Sequence, residues 1–377
     1  QAPAGWDQHI GSESIIVAIA DTGIDHTHPD LAGKIATGYN AITNSTRPPG
    51  DDSGHGTHVA GIISAATNNN QGVAGVAWSC GLLPVKVLDN QGGGIVSNIA
   101  EGIIWAVDHG ANVINLSLGG EGYSRILQDA VDYAINRNVT VVAASGNDSR
   151  LMFNSPACLP GVISVGATNP TNNKAAFSTE SNSLFIAAPG DQILSTFPKS
   201  FGQLYTYLSG TSMAAPFVSG AVALIKAKYG KDLTVNQVQS ILKQTATEIG
   251  GAGWDQQTGW GLLNLQGALS LSGTPANEFG TLIITTEGIG GQIKSGAQVL
   301  LSDSNGSIAN IISDSYGKAS FWSLPAGSYT VTVSGDGLTN NATVEVSGGG
   351  TTNRSVSFLP APISYASLNE TAEDSTS

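Results

Sequence analysis

Cysteine is almost absent from this 377-residue chain, which carries only Cys80 and Cys158. So few thiols exclude a disulfide scaffold, and a chain of this length does not need one. No His or Asn motif accompanies either cysteine, so neither reads as a nucleophile. Charge is scarce too, at 11% of residues, and positive charge is scarcest: 15 Lys and Arg against 28 Asp and Glu leave a net charge of −13. That balance argues against nucleic acid or an anionic membrane as partner. It suits bound Ca²⁺ and an extracellular setting. No apolar run approaches the roughly 20 residues that span a bilayer. The first residues hold no basic region, apolar core or cleavage signal.

What is plentiful is glycine, at 48 residues, and apolar side chains, at 41%, enough for a substantial core in a compact, loop-rich chain. Residues 15–20, 113–116, 139–144 and 162–165 are short, nearly continuous apolar runs. Strands of a parallel sheet buried on both faces look like this. Between them, 96–109 and 126–138 carry helix-spaced apolar residues and end near Gly or Asn. Residues 212–229 form a third helical stretch, apolar around most of its circumference and so central. Pro216 is expected in its first turn, where a missing N–H costs little. A doubly wound, mostly parallel α/β domain is therefore predicted over 1–272.

Residues 273–279, with Thr274, Pro275 and Ala276, read as a linker. Beyond it, short β-type runs punctuated by Gly306, Gly317, Gly327 and Gly335 predict a small antiparallel β-sandwich over 280–359. Residues 360–377, rich in Ser, Thr, Glu and Asp, predict a mobile tail.

Three compact motifs stand out in the α/β part: Asp-Thr-Gly-Ile-Asp at 21–25, Gly-His-Gly-Thr-His-Val-Ala-Gly at 54–61, and Gly-Thr-Ser-Met-Ala-Ala-Pro at 210–216. A serine hydroxyl is a poor nucleophile near neutral pH. It needs a base to take its proton and a carboxylate to hold that base in one tautomer. Asp21, His55 and Ser212 supply one group of each kind. Taken singly, each has a plainer reading. Asp21 can open a turn, Ser212 can cap a helix, and His55 can join His58, His26 or His28 around a metal, without the Glu of a metalloprotease pattern. The conjunction of all three motifs, in the order Asp, His, Ser, outweighs those readings. That order separates the chain from other triad folds.

In these motifs the chain resembles the subtilisin-like serine peptidases, and in pattern their thermitase-like members. The resemblance implies peptide-bond hydrolysis through Ser212, with His55 as base, Asp21 as its orienting acid and Asn147 as an oxyanion donor. Asn147 and His55 set the chain apart from the related sedolisin branch. The resemblance further implies that Gly92, Gly93 and Gly94, with Ser117, Leu118 and Gly119, embrace the substrate as added strands. Flexibility alone would also explain the glycines at 92–94. Ala144, Gly146 and Asn154 match a specificity pocket suited to large apolar side chains before the cleaved bond, with Asp148 at its rim able to admit a basic one.

The segment 67–73 matches a thermitase-like calcium loop, which implies Ca²⁺ held by Asp30, Asn69 and the carbonyls of Ala66, Gln71 and Val73. A further ligand from an earlier amino-terminal segment is missing, and a plain polar loop is the other reading. The two cysteines would open well-separated strands and remain buried thiols. The family is made with a signal peptide and a folding propeptide, so the chain looks matured and secreted, with its propeptide or a proteinaceous inhibitor as partner besides polypeptide substrates. Residues 315–333 resemble transthyretin-like, carboxypeptidase-regulatory-type modules. The alternative reading is that the chain binds a polymer or cell surface through this module, either as a tethered enzyme or as a catalytically silent pseudopeptidase.

Overall fold

A computed structural model describes residues 2–358, apart from Ala36, 274–276, Ile289 and Asn305. The predicted linker residues Thr274, Pro275 and Ala276, and the predicted tail over 360–377, lie outside the described residues. Seven parallel strands form the main sheet: β1 (Ile16–Asp21), β2 (Tyr39–Asn40), β3 (Gly81–Lys86), β4 (Val113–Leu116), β5 (Thr140–Ala144), β6 (Ile163–Thr168) and β7 (Leu184–Pro189). Their order is β2-β3-β1-β4-β5-β6-β7. Each strand alternates its side chains between two apolar layers, which is why the runs read as continuous. On β1, Val17 and Ile19 meet helices α1 (His55–Ser64) and α4 (Thr211–Tyr229). Ala18 and Ala20 meet α2 (Val96–Asp108) and α3 (Arg125–Ile135) on the other face.

Strand β1 pairs with β3 on one side and β4 on the other. The chain reverses its winding there, so the carboxyl ends of β1 and β4 frame a crevice where open α/β sheets build their sites. Helix α4 crosses beneath it, buried from Met213 to Lys226 apart from Phe217. Because α4 begins at Thr211, Pro216 is its sixth residue, just past the first turn. Its missing N–H leaves the Ser212 carbonyl without a helical donor. The Ser117 hydroxyl supplies one instead, at 2.8 Å.

Beyond residue 278 the strands are β8 (Phe279–Glu287), β9 (Gln298–Asp303), β10 (Gly306–Ile312), β11 (Lys318–Pro325), β12 (Gly327–Gly335), β13 (Leu338–Val346) and β14 (Thr351–Ser357). They form two sheets, β11-β8-β14 and β10-β9-β12-β13, closed over Leu282, Val299, Phe321 and Val331. The expectation of purely antiparallel pairing needs one correction: β8 and β14 run parallel. The sandwich packs on the peptidase-like body. Phe279 is buried in the main core, its ring 5.8 Å from that of Phe185. Trp322 Nε1 donates to Asp132 on α3 at 2.7 Å. Both cysteines are free, but Cys158 is only half-buried. Burial pushes the Cys80 thiol up to about 11.

Candidate active site

Asp21 ends β1 with no exposed surface. His55 Nδ1 lies 2.8 Å from its Oδ1 and 3.0 Å from its Oδ2, and the Thr22 N–H donates to Oδ1 at 2.7 Å. An ionised carboxylate only accepts, so Nδ1 carries the ring proton and Nε2 keeps its lone pair.

His55 opens α1. The preceding Gly54 has φ 98°, and a side chain there would strike the Phe197 ring. The turn is fixed by Asp51, a residue the sequence did not single out. Its carboxylate accepts from the N–H groups of Ser53 (3.0 Å), Gly54 (2.8 Å) and Thr57 (2.8 Å) and from the hydroxyls of Thr22 (2.8 Å) and Thr57 (2.6 Å). It thereby satisfies helix-end donors that glycine cannot cap. Burial acts to lower the pKa of His55. The charges of Asp21 and then Asp51 outweigh it and hold the imidazole above its ordinary value.

Ser212 is the second residue of α4, and its Oγ donates to the Ser117 carbonyl at 3.2 Å. Among the described residues, no hydrogen bond joins this hydroxyl to His55. Asn147 follows β5, and its Oδ1 accepts from the Thr211 N–H at 2.9 Å and the Thr211 hydroxyl at 3.1 Å. Its amide nitrogen is thus turned the other way. The place a Gly210 side chain would occupy lies 3.5 Å from Asn147 Nδ2 and 3.6 Å from the Ser212 nitrogen, so the two nitrogens are neighbours.

A groove of about 800 Å³ opens beside His55 and is lined also by Gly92, Gly94, Ser117, Leu118 and Gly119 among others. Gly93 does not line it, because its N–H is held by Asp89 Oδ1 at 2.9 Å. The 89–93 segment is a capped turn, closed also by Asp89 N–H to the Gly93 carbonyl at 2.8 Å. Ala144 is buried at the end of β5. Gly146 (φ 115°) is pressed against Asn154 too closely for a side chain. Asn154 Nδ2 donates to the Ser145 carbonyl at 3.1 Å and to Asp148 Oδ2 at 3.0 Å. Asp148 also accepts from Thr179 at 3.1 Å, so its carboxylate braces the pocket it borders. A separate cavity of about 410 Å³, lined by Trp254, Trp260, Phe279 and Trp322, sits between the main body and the sandwich and contains none of these groups.

Of the alternative histidine ligands, His26 is exposed and the other two are engaged elsewhere. His58 Nε2 faces the carbonyls of Ile193 and Thr206 at 3.0 and 3.1 Å, and burial drops its pKa to about 4. His28 Nε2 faces the Leu204 carbonyl at 2.8 Å. Around Asp30, which is fully buried, Asn69 Nδ2 donates at 2.7 Å, the Tyr205 hydroxyl at 2.9 Å and the Val73 N–H at 3.3 Å. Asp30 and Asn69 are thus adjacent. Tyr205, far off in sequence, completes the contact set.

The family model for the subtilase family matches residues 12–261. The chain belongs to the subtilases. It is a serine peptidase of the subtilisin type and acts on polypeptides. A carboxypeptidase regulatory-like domain model matches 284–358 of this subtilase. Thermitase of Thermoactinomyces vulgaris is 45% identical over 253 residues, covering 67% of this chain and 88% of thermitase. Subtilisin BL of Lederbergia lenta is 44% identical over 268 residues, covering 71% of this chain and 95% of the relative. The solved structure of fervidolysin from Fervidobacterium pennivorans, a keratinolytic enzyme related to subtilisin, superposes with a TM-score of 0.84 at 32% identity, over 94% of this chain and 61% of that one.

Proposed function

We propose that this subtilase is a secreted endopeptidase that works through an acyl-enzyme on Ser212. The reading rests above all on the Asp21–His55 pair, whose two short contacts leave Nε2 as the free base. His55 Nε2 takes the hydroxyl proton as Ser212 Oγ attacks the amide carbon. Asn147 Nδ2 and the Ser212 N–H receive the developing oxyanion. His55 then passes the proton to the leaving amine, and water hydrolyses the ester. An incoming strand whose N–H takes the Ser117 carbonyl would release the hydroxyl that now rests there.

The substrate lies between 92–94 and 117–119. The pocket of Ala144, Gly146 and Asn154 favours a large apolar side chain before the cleaved bond. The division into a peptidase domain (1–272) and an accessory sandwich (280–359) goes with this reading. Ser212→Ala is expected to lower kcat by about 10⁶ and Asp21→Asn by less, magnitudes known for subtilisin itself. Wild-type turnover in Ser212→Ala would refute the assignment.

Ca²⁺ fits the 66–73 loop chemically: a buried carboxylate faces only neutral donors there, beside a polar loop able to turn carbonyls inward. Asp30, Asn69 and the carbonyls of Ala66, Gln71 and Val73 would hold it, with the Asn69 amide reversed so that its oxygen faces the ion. Bound Ca²⁺ would tie the loop to the Asp30 turn. A thermal midpoint unmoved by millimolar Ca²⁺ or by chelation would remove this part. The propeptide or a proteinaceous inhibitor is expected to occupy the same groove as substrate.

A further inference from the structure

The groove beside His55 does not end within the peptidase sheet. Its wall leaves Ser117 at the nucleophile and continues through Gly119, Glu121 and Tyr123 to Arg125 and Ile126. There it meets the sandwich. Tyr123 packs against both the peptidase core and the sandwich core. Its hydroxyl sits beside the Ile312 backbone without a well-formed hydrogen bond. Arg125 donates to the Ile312 carbonyl, pairs with Asp129 at 2.6 Å and senses the charge of Asp314. Strand β10, the edge of its sheet, is held at its other end as well, where Asn182 Nδ2 donates to the Ser307 carbonyl at 2.8 Å. The sandwich is therefore bonded to the far end of the groove wall, at Tyr123 and Arg125.

At this junction several large apolar side chains face solvent. Ile126 is 55% exposed, Ile312 41% and Tyr316 74%. Tyr316 belongs to the turn folded around Asp314, whose carboxylate accepts the Tyr316 N–H at 2.8 Å. Ile126 lines the groove, the neighbouring Arg125 holds Ile312, and Tyr316 belongs to the turn whose Asp314 charge reaches Arg125; an exposed apolar group that begins at a groove wall marks a contact surface. A strand lying along the wall advances roughly 3.3 Å per residue, so only a peptide that extends beyond the 117–119 contact reaches this end of the wall.

The geometry points to the sandwich as part of the substrate-binding apparatus. Ile312 and Tyr316, with Ile126, form an outer subsite for an apolar or aromatic side chain of an extended polypeptide, on the side before the cleaved bond. This rests on the reading of Ser212 and His55 as the reacting pair and of 117–119 as the strand partner.

The test compares matched quenched-fluorescence peptides cleaved by the full chain. One has four residues before the cleaved bond, one has eight with Phe and Leu at the outer positions, and one is lengthened only after the bond. Amino-side lengthening is expected to raise kcat/KM by about tenfold, mostly through KM. Tyr316→Ser should remove most of that gain, and Tyr316→Phe should keep it. The ratio for carboxyl-side lengthening should be the same in all three proteins. A gain untouched by Tyr316→Ser, no gain at all, or an equal loss on short and long peptides would overturn the outer subsite. Persistent turnover in Ser212→Ala would instead overturn the reading beneath it, whatever the length series shows.

Discussion

Ser117 and Ser212 exchange two hydrogen bonds: the Ser117 hydroxyl donates to the Ser212 carbonyl at 2.8 Å, and the Ser212 hydroxyl donates to the Ser117 carbonyl at 3.2 Å. The first compensates for Pro216. Asn115 Nδ2 donates to the Ser117 hydroxyl at 2.9 Å, and Asn115 Oδ1 accepts from Ser219 on α4 at 2.8 Å. Helix α4, which carries Ser212, is thus moored to the end of β4 by buried polar groups. Removing the Ser117 hydroxyl leaves a carbonyl and an amide unpaired, at about 1–3 kcal/mol. In urea melts of inactive Ser212→Ala protein, Ser117→Ala should cost about that much. Its cost should shrink once Pro216→Ala restores the missing N–H. Equal costs in both backgrounds would show that the hydroxyl does not stand in for the helix bond.

The raised pKa of His55 fixes the direction of the pH response. The base must be unprotonated, so activity falls as pH drops through a midpoint above the ordinary imidazole value of about 6.5. Asp51→Asn removes one of the charges responsible and should move the acid limb of kcat/KM down toward that value. An acid limb in Asp51→Asn unchanged from wild type would deny Asp51 its electrostatic part.

Thr211 aims Asn147 without touching substrate. Thr211→Val removes one of two bonds to the amide oxygen and should lower kcat by roughly three- to tenfold with little change in KM. Asn147→Ala should lower it by about 10²–10³. If Thr211 acts through the amide, its substitution adds almost nothing in the Asn147→Ala protein. Additive losses would make Thr211 a separate contributor.

Asp132 shows what docking the sandwich costs. Burial pushes its carboxyl up to about 6, against the opposing hydrogen bonds of Trp322 and Gln128. The folded state therefore holds this proton more tightly than the unfolded chain. The resulting stabilisation is present at low pH and is lost as pH rises through about 4 to 6. Above that range the buried charge costs about 3 kcal/mol, at about 1.4 kcal/mol per pH unit. Asp132→Asn keeps the acceptor for Trp322. It should raise the thermal midpoint of Ser212→Ala protein at pH 8 more than at pH 4. A midpoint lowered at pH 8 would contradict this.

Much of the fold and of the site was legible because its signals are local. The apolar runs at 15–20 and 113–116 announce β1 and β4, and the motifs around Asp21, His55 and Ser212 mark the crevice those strands frame. The missing parts depend on contacts remote in sequence. Nothing near Asp51 shows that it will collect donors from Thr22 and Thr57. The demand that Pro216 makes on Ser117 appears only once α4 is seen to begin at Thr211. Likewise, no pattern around 306–322 reveals that Trp322 will reach Asp132, or that Ile312 will sit against Arg125. The resting bond of Ser212 to Ser117, in place of one to His55, is a rotamer choice that no sequence pattern encodes.

The most direct test is to expose the full chain to a fluorophosphonate and map the adduct by peptide mass spectrometry, beside His55→Ala protein. The account predicts one stoichiometric adduct, on Ser212, formed at least a thousandfold more slowly without His55 and in step with loss of peptidase activity. An adduct on another residue, or full inactivation with Ser212 unmodified, would contradict it.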